Sequence, residues 1–132
     1  WTGAQALNAD PEALTKRLPD KALQFIDKHF PNEQVRQVET DYERGSTSYE
    51  AKLSNGFELK FDGYGQWTEV DGETLTVPKA IIPGRISNYV EKHYPETRIV
   101  SIDNERQHYE VKLSDGKELI FDRNGKFNGR DR

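Results

Sequence analysis

The 132-residue sequence contains no cysteine and no methionine. Without cysteine there are no disulfides, no thiol nucleophile and no thiolate-ligated metal. It also lacks any apolar run near the ~20 residues that a membrane-spanning helix needs. Charge of one sign is missing as well: 19 Lys and Arg stand against 23 Asp and Glu, a net charge of −4. That mild acidity argues against a nucleic-acid partner, because binding to phosphate backbones rests on excess cations. No methionine or charged-then-apolar leader opens the chain, so Trp1 reads as the start of a processed protein. What remains is a highly charged sequence, 32% Asp, Glu, Lys and Arg, with 33% hydrophobic residues. A chain of this length can bury roughly 68% of its unfolded surface, enough for a stable core.

An internal repeat is the dominant feature. Lys28-His29-Phe30-Pro31 recurs as Lys92-His93-Tyr94-Pro95, and Tyr49 to Trp67 recurs as Tyr109 to Phe127. In that second pair of segments 11 of 19 positions are identical, too many for chance. The predicted organisation is an N-terminal segment over 1–17, a first repeat over 18–72, a linker over 73–81 and a second repeat over 82–132, together one compact unit. Residues 18–72 carry 6 basic and 11 acidic side chains; residues 82–132 carry 10 and 9. The first repeat is therefore acidic and the second nearly neutral. An acidic bias of this kind forms a solvated face or a patch that steers a partner.

Each repeat opens with a helical pattern. Ile82, Ile86, Tyr89, Val90 and Tyr94 fall on one stripe, matched by Leu18, Ala22, Phe25, Ile26 and Phe30. Pro19 and Pro83 suit the first helical turn, and Pro31 and Pro95 stop the helix. Asp10-Pro11-Glu12 reads as a cap followed by proline, which predicts a short extra helix over about 11–17.

The strands can be read with their register. Tyr49, Ala51 and Leu53 alternate with charged residues, as do Phe57, Leu59 and Phe61. A three-residue Ser54-Asn55-Gly56 loop sets Leu53 opposite Phe57, Ala51 opposite Leu59 and Tyr49 opposite Phe61. The reverse face then pairs Lys52 with Glu58 and Glu50 with Lys60, each pair worth roughly 0.2–1 kcal/mol. A two-residue loop would mix the faces. The second repeat follows the same logic, with Val111 opposite Leu119 and Lys112 opposite Glu118. Further turns at 63–65 and 123–125 set Phe61 opposite Trp67 and Phe121 opposite Phe127. The opening strands, about 34–41 and 98–104, do not alternate cleanly at Val35 and Val38, which predicts a bulge. The expected class is α+β: two tandem helix-plus-antiparallel-sheet repeats, with the helices packed on one sheet face and the other face charged.

Chemistry-bearing residues are sparse. His29 and His93 sit at equivalent helix C-termini, where the helix dipole favours them. Ser54 and Ser114 are hairpin residues without the strand–turn–helix context of a nucleophile. No nucleophile–base constellation is present, and the sequence reads as non-enzymatic. Asp62, Asp122 and Asn124 lie at oxygen-rich turns that can bind Ca²⁺, but the calcium-loop spacing is absent and Asp in such places normally caps the turn. Calcium is the one cofactor the residues leave open. Tyr42 in a loop, Tyr64 at a turn tip and Trp67 on a terminal strand are the candidate partner contacts, since exposed Tyr and Trp anchor interfaces.

Leu18-Pro19, Phe25-Ile26, Lys28-His29-Phe30-Pro31, Tyr49-Glu50, Leu53-Ser54-Asn55-Gly56, Phe61-Asp62 and Gly65 to Val70 together resemble the PepSY-like periplasmic proteins of Bacteroides-type bacteria, and the second repeat shows the pattern again. The resemblance covers about residues 17–128. It implies a fold similar to the β-lactamase inhibitor protein, export to the periplasm or beyond with a signal peptide removed, and no catalytic residues. The function expected from it is a binding or inhibitory module for a protein or peptide of the cell envelope. A small-ligand or calcium-responsive sensor is the alternative.

Overall fold

The computed structural model describes residues 10–130. Helix α1 spans Pro11–Thr15, shorter than the predicted 11–17, and Asp10 caps it by accepting a hydrogen bond from the Ala13 N–H at 3.0 Å. Helix α2 spans Asp20–His29 and helix α3 spans Gly84–His93; a single 3-10 turn, Lys79–Ile81, precedes α3. The strands are β1 (Val35–Glu43), β2 (Ser46–Leu53), β3 (Glu58–Asp62), β4 (Trp67–Asp71), β5 (Ile99–Asn104), β6 (His108–Leu113), β7 (Glu118–Asp122) and β8 (Phe127–Arg130). Their spatial order is the order of the chain. The architecture is α+β. Two compact units divide it, one ending at Thr68 and one beginning at Glu69 within β4.

In the first unit, α2 buries Ala22 and Ile26 and half-buries Phe25. The Phe25 ring meets the edge of Phe61 on β3 at 5.8 Å. Pro19 lies one residue before the helix instead of inside its first turn. Its backbone is extended (ψ 152°), and its carbonyl accepts the first helical hydrogen bond from Leu23. Proline's fixed φ suits that capping position as well as the turn that follows. The helix ends at Phe30, whose N–H reaches the Ile26 carbonyl at 2.8 Å, and Pro31 prevents a further turn.

The β2–β3 hairpin has the register expected from alternation: Tyr49 faces Phe61, Glu50 faces Lys60, Ala51 faces Leu59 and Lys52 faces Glu58. Ala51, Leu53, Phe57, Leu59 and Phe61 are all buried. The expected bulge lies between Val35 and Gln37, where β1 slips relative to β2 and lets Val35 and Val38 both point inward. Ser54 secures this start of β1. Its hydroxyl accepts from the Gln34 N–H at 2.9 Å and donates to Glu33 at 2.7 Å.

The second unit repeats these local solutions. α3 buries Ile86, Ser87 and Val90, and Tyr89 meets the edge of Phe121 at 5.5 Å. Here too the proline, Pro83, stands just outside the helix with an extended backbone. Tyr109 faces Phe121, Val111 faces Leu119, Lys112 faces Glu118, and Phe121 faces Phe127. A bulge again separates Ile99 from Ser101. Residues 73–81 are fastened to β5: the Val77 N–H donates to Ile99, and Arg98 donates to the Thr74 carbonyl and the Thr76 hydroxyl.

The aromatic core is smaller than the alternation alone predicts. Phe30, Phe57, Phe61 and Phe121 are buried, whereas Phe25, Tyr49, Tyr89, Tyr94 and Tyr109 are half-buried. Tyr109 keeps one ring face for the Arg123 guanidinium, 4.2 Å from its centre. Periodicity shows which face a ring occupies but not how far the covering layer extends over it.

Candidate functional site

The candidate contact residues converge on one end of the first unit. β1 and β2 are joined by a two-residue turn in which Arg44 (φ 54°) and Gly45 (φ 81°) both take left-handed backbones, the tight form that suits the twist of a hairpin. This hairpin runs past the end of β3, because Ser48 already faces Asp62 and the pairs continue to Glu43 with Ser46. Tyr42 pairs with Thr47 in the overhang. The next turn at that end, 63–65, passes close beneath it: a Cβ on Gly63 would lie 3.1 Å from the Thr47 carbonyl oxygen. Tyr64 projects from this turn.

Tyr42 is 72% exposed and Tyr64 is 87% exposed, the highest values among the large apolar and aromatic side chains described. Trp67 lies differently. It emerges from the same turn, but its ring stacks on Phe25 of α2, 6.0 Å between centres with 27° between planes, and it is half-buried. The structure thus brings Tyr42 and Tyr64 to one end and turns Trp67 toward the helix. Asp41 and Glu43 flank Tyr42 and are exposed, so this end carries part of the acidic bias seen in the sequence.

The two aspartates serve their turns. Asp62 Oδ1 accepts the N–H groups of Tyr64 (2.9 Å) and Gln66 (3.0 Å). Asp122 Oδ1 accepts those of Asn124 and Lys126, each at 2.9 Å. The Asn124 carbonyl accepts from the Arg85 guanidinium at 3.2 Å, which places a fixed cation beside the second turn. Among the described residues, no group of three or more His, Asp or Glu side chains is arranged to hold a metal ion.

The charged sheet face of the first unit carries Glu39, Glu50 and Glu58 beside Lys52 and Lys60. Glu39 and Glu50 face each other across β1 and β2. Burial pushes the Glu50 carboxyl above its ordinary range; Lys60 opposes this, and repulsion and a hydrogen bond from Glu58, with Glu39 beyond, add to it. A carboxylate in that setting takes up a proton more readily than one in water.

His29 rests against Phe25, with ring centres 4.6 Å apart, and burial lowers its pKa, helped by neighbouring Lys28. His93 is exposed on the equivalent turn of α3, its ring 4.2 Å from Tyr89. Among the described residues, neither histidine is hydrogen-bonded to a hydroxyl. Ser54 is committed to the β1 start, and Ser114 accepts the Arg98 N–H at 3.1 Å.

The chain is thus an α+β assembly of short helices and antiparallel hairpins whose turn aspartates are hydrogen-bonded within their own turns and whose hairpin serines are hydrogen-bonded at the starts of β1 and β5. The family model described as putative beta-lactamase-inhibitor-like, PepSY-like matches it over residues 12–65 and again over 47–128, and the chain belongs to this PepSY-like family. Three solved structures are similar along nearly the whole chain. A putative periplasmic protein of the DUF2874 family from Bacteroides vulgatus is 36% identical, with 89% of this chain and 93% of that one covered and a TM-score of 0.84. A putative calcium-regulated periplasmic protein from Bacteroides thetaiotaomicron is also 36% identical, with the same coverage and a TM-score of 0.85. A putative periplasmic protein of unknown function from Bacteroides vulgatus is 34% identical over 89% and 94%, with a TM-score of 0.87. No curated protein sequence matches. The family description is inhibitor-like and names no enzymatic activity. No helix among the described residues is long and apolar enough to cross a membrane.

Proposed function

We propose that this chain is a non-enzymatic binding or inhibitory module of the periplasm or cell envelope that engages a protein or peptide through the Tyr42–Tyr64 end of its first unit. In this reading the chain is two tandem repeats, each helix packs on one face of the sheet over the strands of its own repeat, and the surfaces have diverged around a shared frame. The observation that carries it is the pair of solvent-exposed tyrosines at one end of the unit, held on an overhanging hairpin and an Asp-capped turn. Large, stiff, amphipathic rings of this kind dominate interface energetics. The acidic flanks at Asp41 and Glu43 favour a partner with a basic surface. The periplasmic neighbours support the location, and the inhibitor-like family description is consistent with the mode of action.

The test is capture from a Bacteroides envelope fraction with the wild-type chain and with Tyr42→Ala/Tyr64→Ala as bait. A partner held by the wild type, lost by the double variant and rebound after purification supports the reading. Equal capture by both baits, with both folded, refutes it.

A second reading is favoured by the neighbour described as calcium-regulated. In it, the Asp62 turn and the Asp122–Asn124 turn respond to Ca²⁺ through the Asp oxygens not spent on capping. Titration calorimetry with CaCl₂ decides: a saturable heat, removed by Asp62→Asn or Asp122→Asn, supports it, and no heat with no change in melting ends it.

A further inference from the structure

The second unit contains a cleft that none of these readings uses. It lies between one stripe of α3 and the turn joining β7 to β8, has a volume of about 510 Å³, and falls within the size range of small-ligand sites. Arg85, Asn88, Tyr89, Lys92 and His93 recur at helical spacings of three, one, three and one, and so form a single stripe facing Lys126 and Phe127. Its apolar part is a ring stack in which Tyr89 packs against both Phe127 and His93, the His93 ring centre 4.2 Å away. The Tyr89 and Phe127 rings are nearly parallel, 13° apart in plane and 4.6 Å between centres, and Phe121 braces both edge-on at 5.5 and 5.7 Å.

Its rim is cationic. Arg85, Lys92 and Lys126 line it, His93 adds a fourth nitrogen group, and among the described residues no carboxylate does. In a chain with more acids than bases, that local composition runs against the average. The nearby acids are otherwise engaged: Glu91 pairs with Lys79 at 3.2 Å, and Asp122 Oδ1 accepts two N–H groups of its own turn. Among the described residues Arg85, Lys92 and Lys126 have no ion-pair partner. The Arg85 guanidinium is already fixed by the Asn124 carbonyl, which lowers the entropy lost when it meets an anion.

We infer that this cleft is a binding site for a small aromatic carboxylate, whose ring would pack against the side of the Tyr89–Phe127 stack that lines the cleft while its carboxylate meets Lys126, Lys92 and Arg85. Cations on a rim beside an apolar wall discriminate by sign as well as shape: a neutral or cationic ring of the same size gains the apolar contact but not the charge-assisted hydrogen bonds. The first unit supplies a natural contrast. At the matching positions it has Gln66 for Lys126 and Trp67 for Phe127, with Trp67 stacked on Phe25.

The test is an amide NMR titration of the full chain with naphthalene-2-carboxylate, beside naphthalene-2-carboxamide and 2-naphthylmethylammonium. The expected result is saturable shifts at Tyr89, His93 and Gly125 to Phe127 with the carboxylate. Lys92→Gln/Lys126→Gln should weaken it about tenfold, the loss of one or two charge-assisted hydrogen bonds. The single Lys126→Gln, which copies the first unit, should fall between. No saturable shift, equal response to the amide or the ammonium, or shifts centred in the first unit would overturn the inference. The ligand-charge comparison uses the unaltered chain and stands even if a variant fails to fold.

Discussion

The two units solve the same packing problem and finish their ends differently. Both place an aromatic from the helix edge-on against a buried phenylalanine of the central hairpin, Phe25 on Phe61 and Tyr89 on Phe121. Both close the next turn with an aspartate that takes two N–H groups. Yet the first unit extends its opening hairpin to Glu43 and Ser46 and leaves Tyr42 and Tyr64 in solvent. The second stops at Asn104 and His108, and Arg123 covers the end, its guanidinium on Tyr109 and bonded to Asn104 at 2.6 Å and Glu105 at 2.9 Å. The residue matching Arg123 is Gly63, where a side chain would be tight: a Cβ there would lie 3.1 Å from the Thr47 carbonyl oxygen of the longer hairpin. One hairpin's length thus decides whether an end is exposed or capped.

The shared frame can be broken most severely at its centre. Phe61 and Phe121 are both fully buried. Phe61→Ala and Phe121→Ala should each cost about 4 kcal/mol, the transfer loss plus the cavity left behind. Urea unfolding of both variants checks this. Losses that differ by more than about 3 kcal/mol, beyond the roughly 2 kcal/mol spread seen for one kind of truncation, would show that the two cores are not equivalent.

The glycines that end the turns sharpen the comparison. Gly65 and Gly125 both have positive φ, +90° and +83°. A Cβ at Gly65 would meet Lys21 Cβ at 2.9 Å, the Ala22 backbone nitrogen at 3.0 Å and Pro19 Cβ at 3.1 Å; at Gly125 it would meet only the Arg85 side chain, at 2.9 Å. Gly65→Ala should therefore cost about 3 kcal/mol and Gly125→Ala about 2, since both pay left-handed strain but only the first presses on helix backbone. Gly56→Ala, with φ +98° and nothing within 4 Å, isolates the strain at about 1 kcal/mol. Thermal melts of the three should keep that order.

Much of this frame was legible in the sequence. Strict alternation in 49–53 and 57–61, with lysines and glutamates on the reverse face, permits one register, and that register is present. The non-alternating Val35 and Val38 marked the bulge. The exposed Tyr64 followed from its position at a turn tip. Proximity across elements was not legible. That Tyr42 shares an end with Tyr64 depends on how far the first hairpin overhangs the second, which composition does not encode. The cationic cleft joins Arg85 and Lys92 to Lys126, about 40 residues on, and each alone reads as a solvated side chain. The signal that could have found it was the helical stripe from Arg85 to His93, charged where a solvated helix face is normally mixed in sign.

The capped end of the second unit gives a smaller effect. Arg123→Ala removes a cation over an aromatic ring and two hydrogen bonds at an exposed site, and should cost about 1 kcal/mol. Its local consequence is more diagnostic. The Glu105 N–H, bonded to the His108 carbonyl at 2.9 Å, should exchange with solvent faster in the variant while the Leu113 and Leu119 amides do not. Unchanged exchange at Glu105 would mean that Arg123 decorates that end and does not hold it.

The smallest effect distinguishes the helix C-termini. Burial against Phe25, with Lys28 beside it, holds His29 below its ordinary value of 6.5 in the folded state. As pH falls through about 6.5, the unfolded chain therefore takes up this proton before the folded one does. Stability contributed by the neutral imidazole is fully present above that value and is lost as pH falls from it toward the lower folded pKa. Below the folded pKa both states are protonated and the loss is complete. His29→Gln keeps a polar side chain at the last helical turn but removes the proton site, so its melting temperature should vary less between pH 7 and pH 5 than that of the wild type. An NMR titration of the His29 ring supplies the folded midpoint directly. A midpoint above 6.5 would reverse the sign and show that the helix C-terminal dipole, which favours a protonated histidine there, outweighs the loss of solvent around the ring.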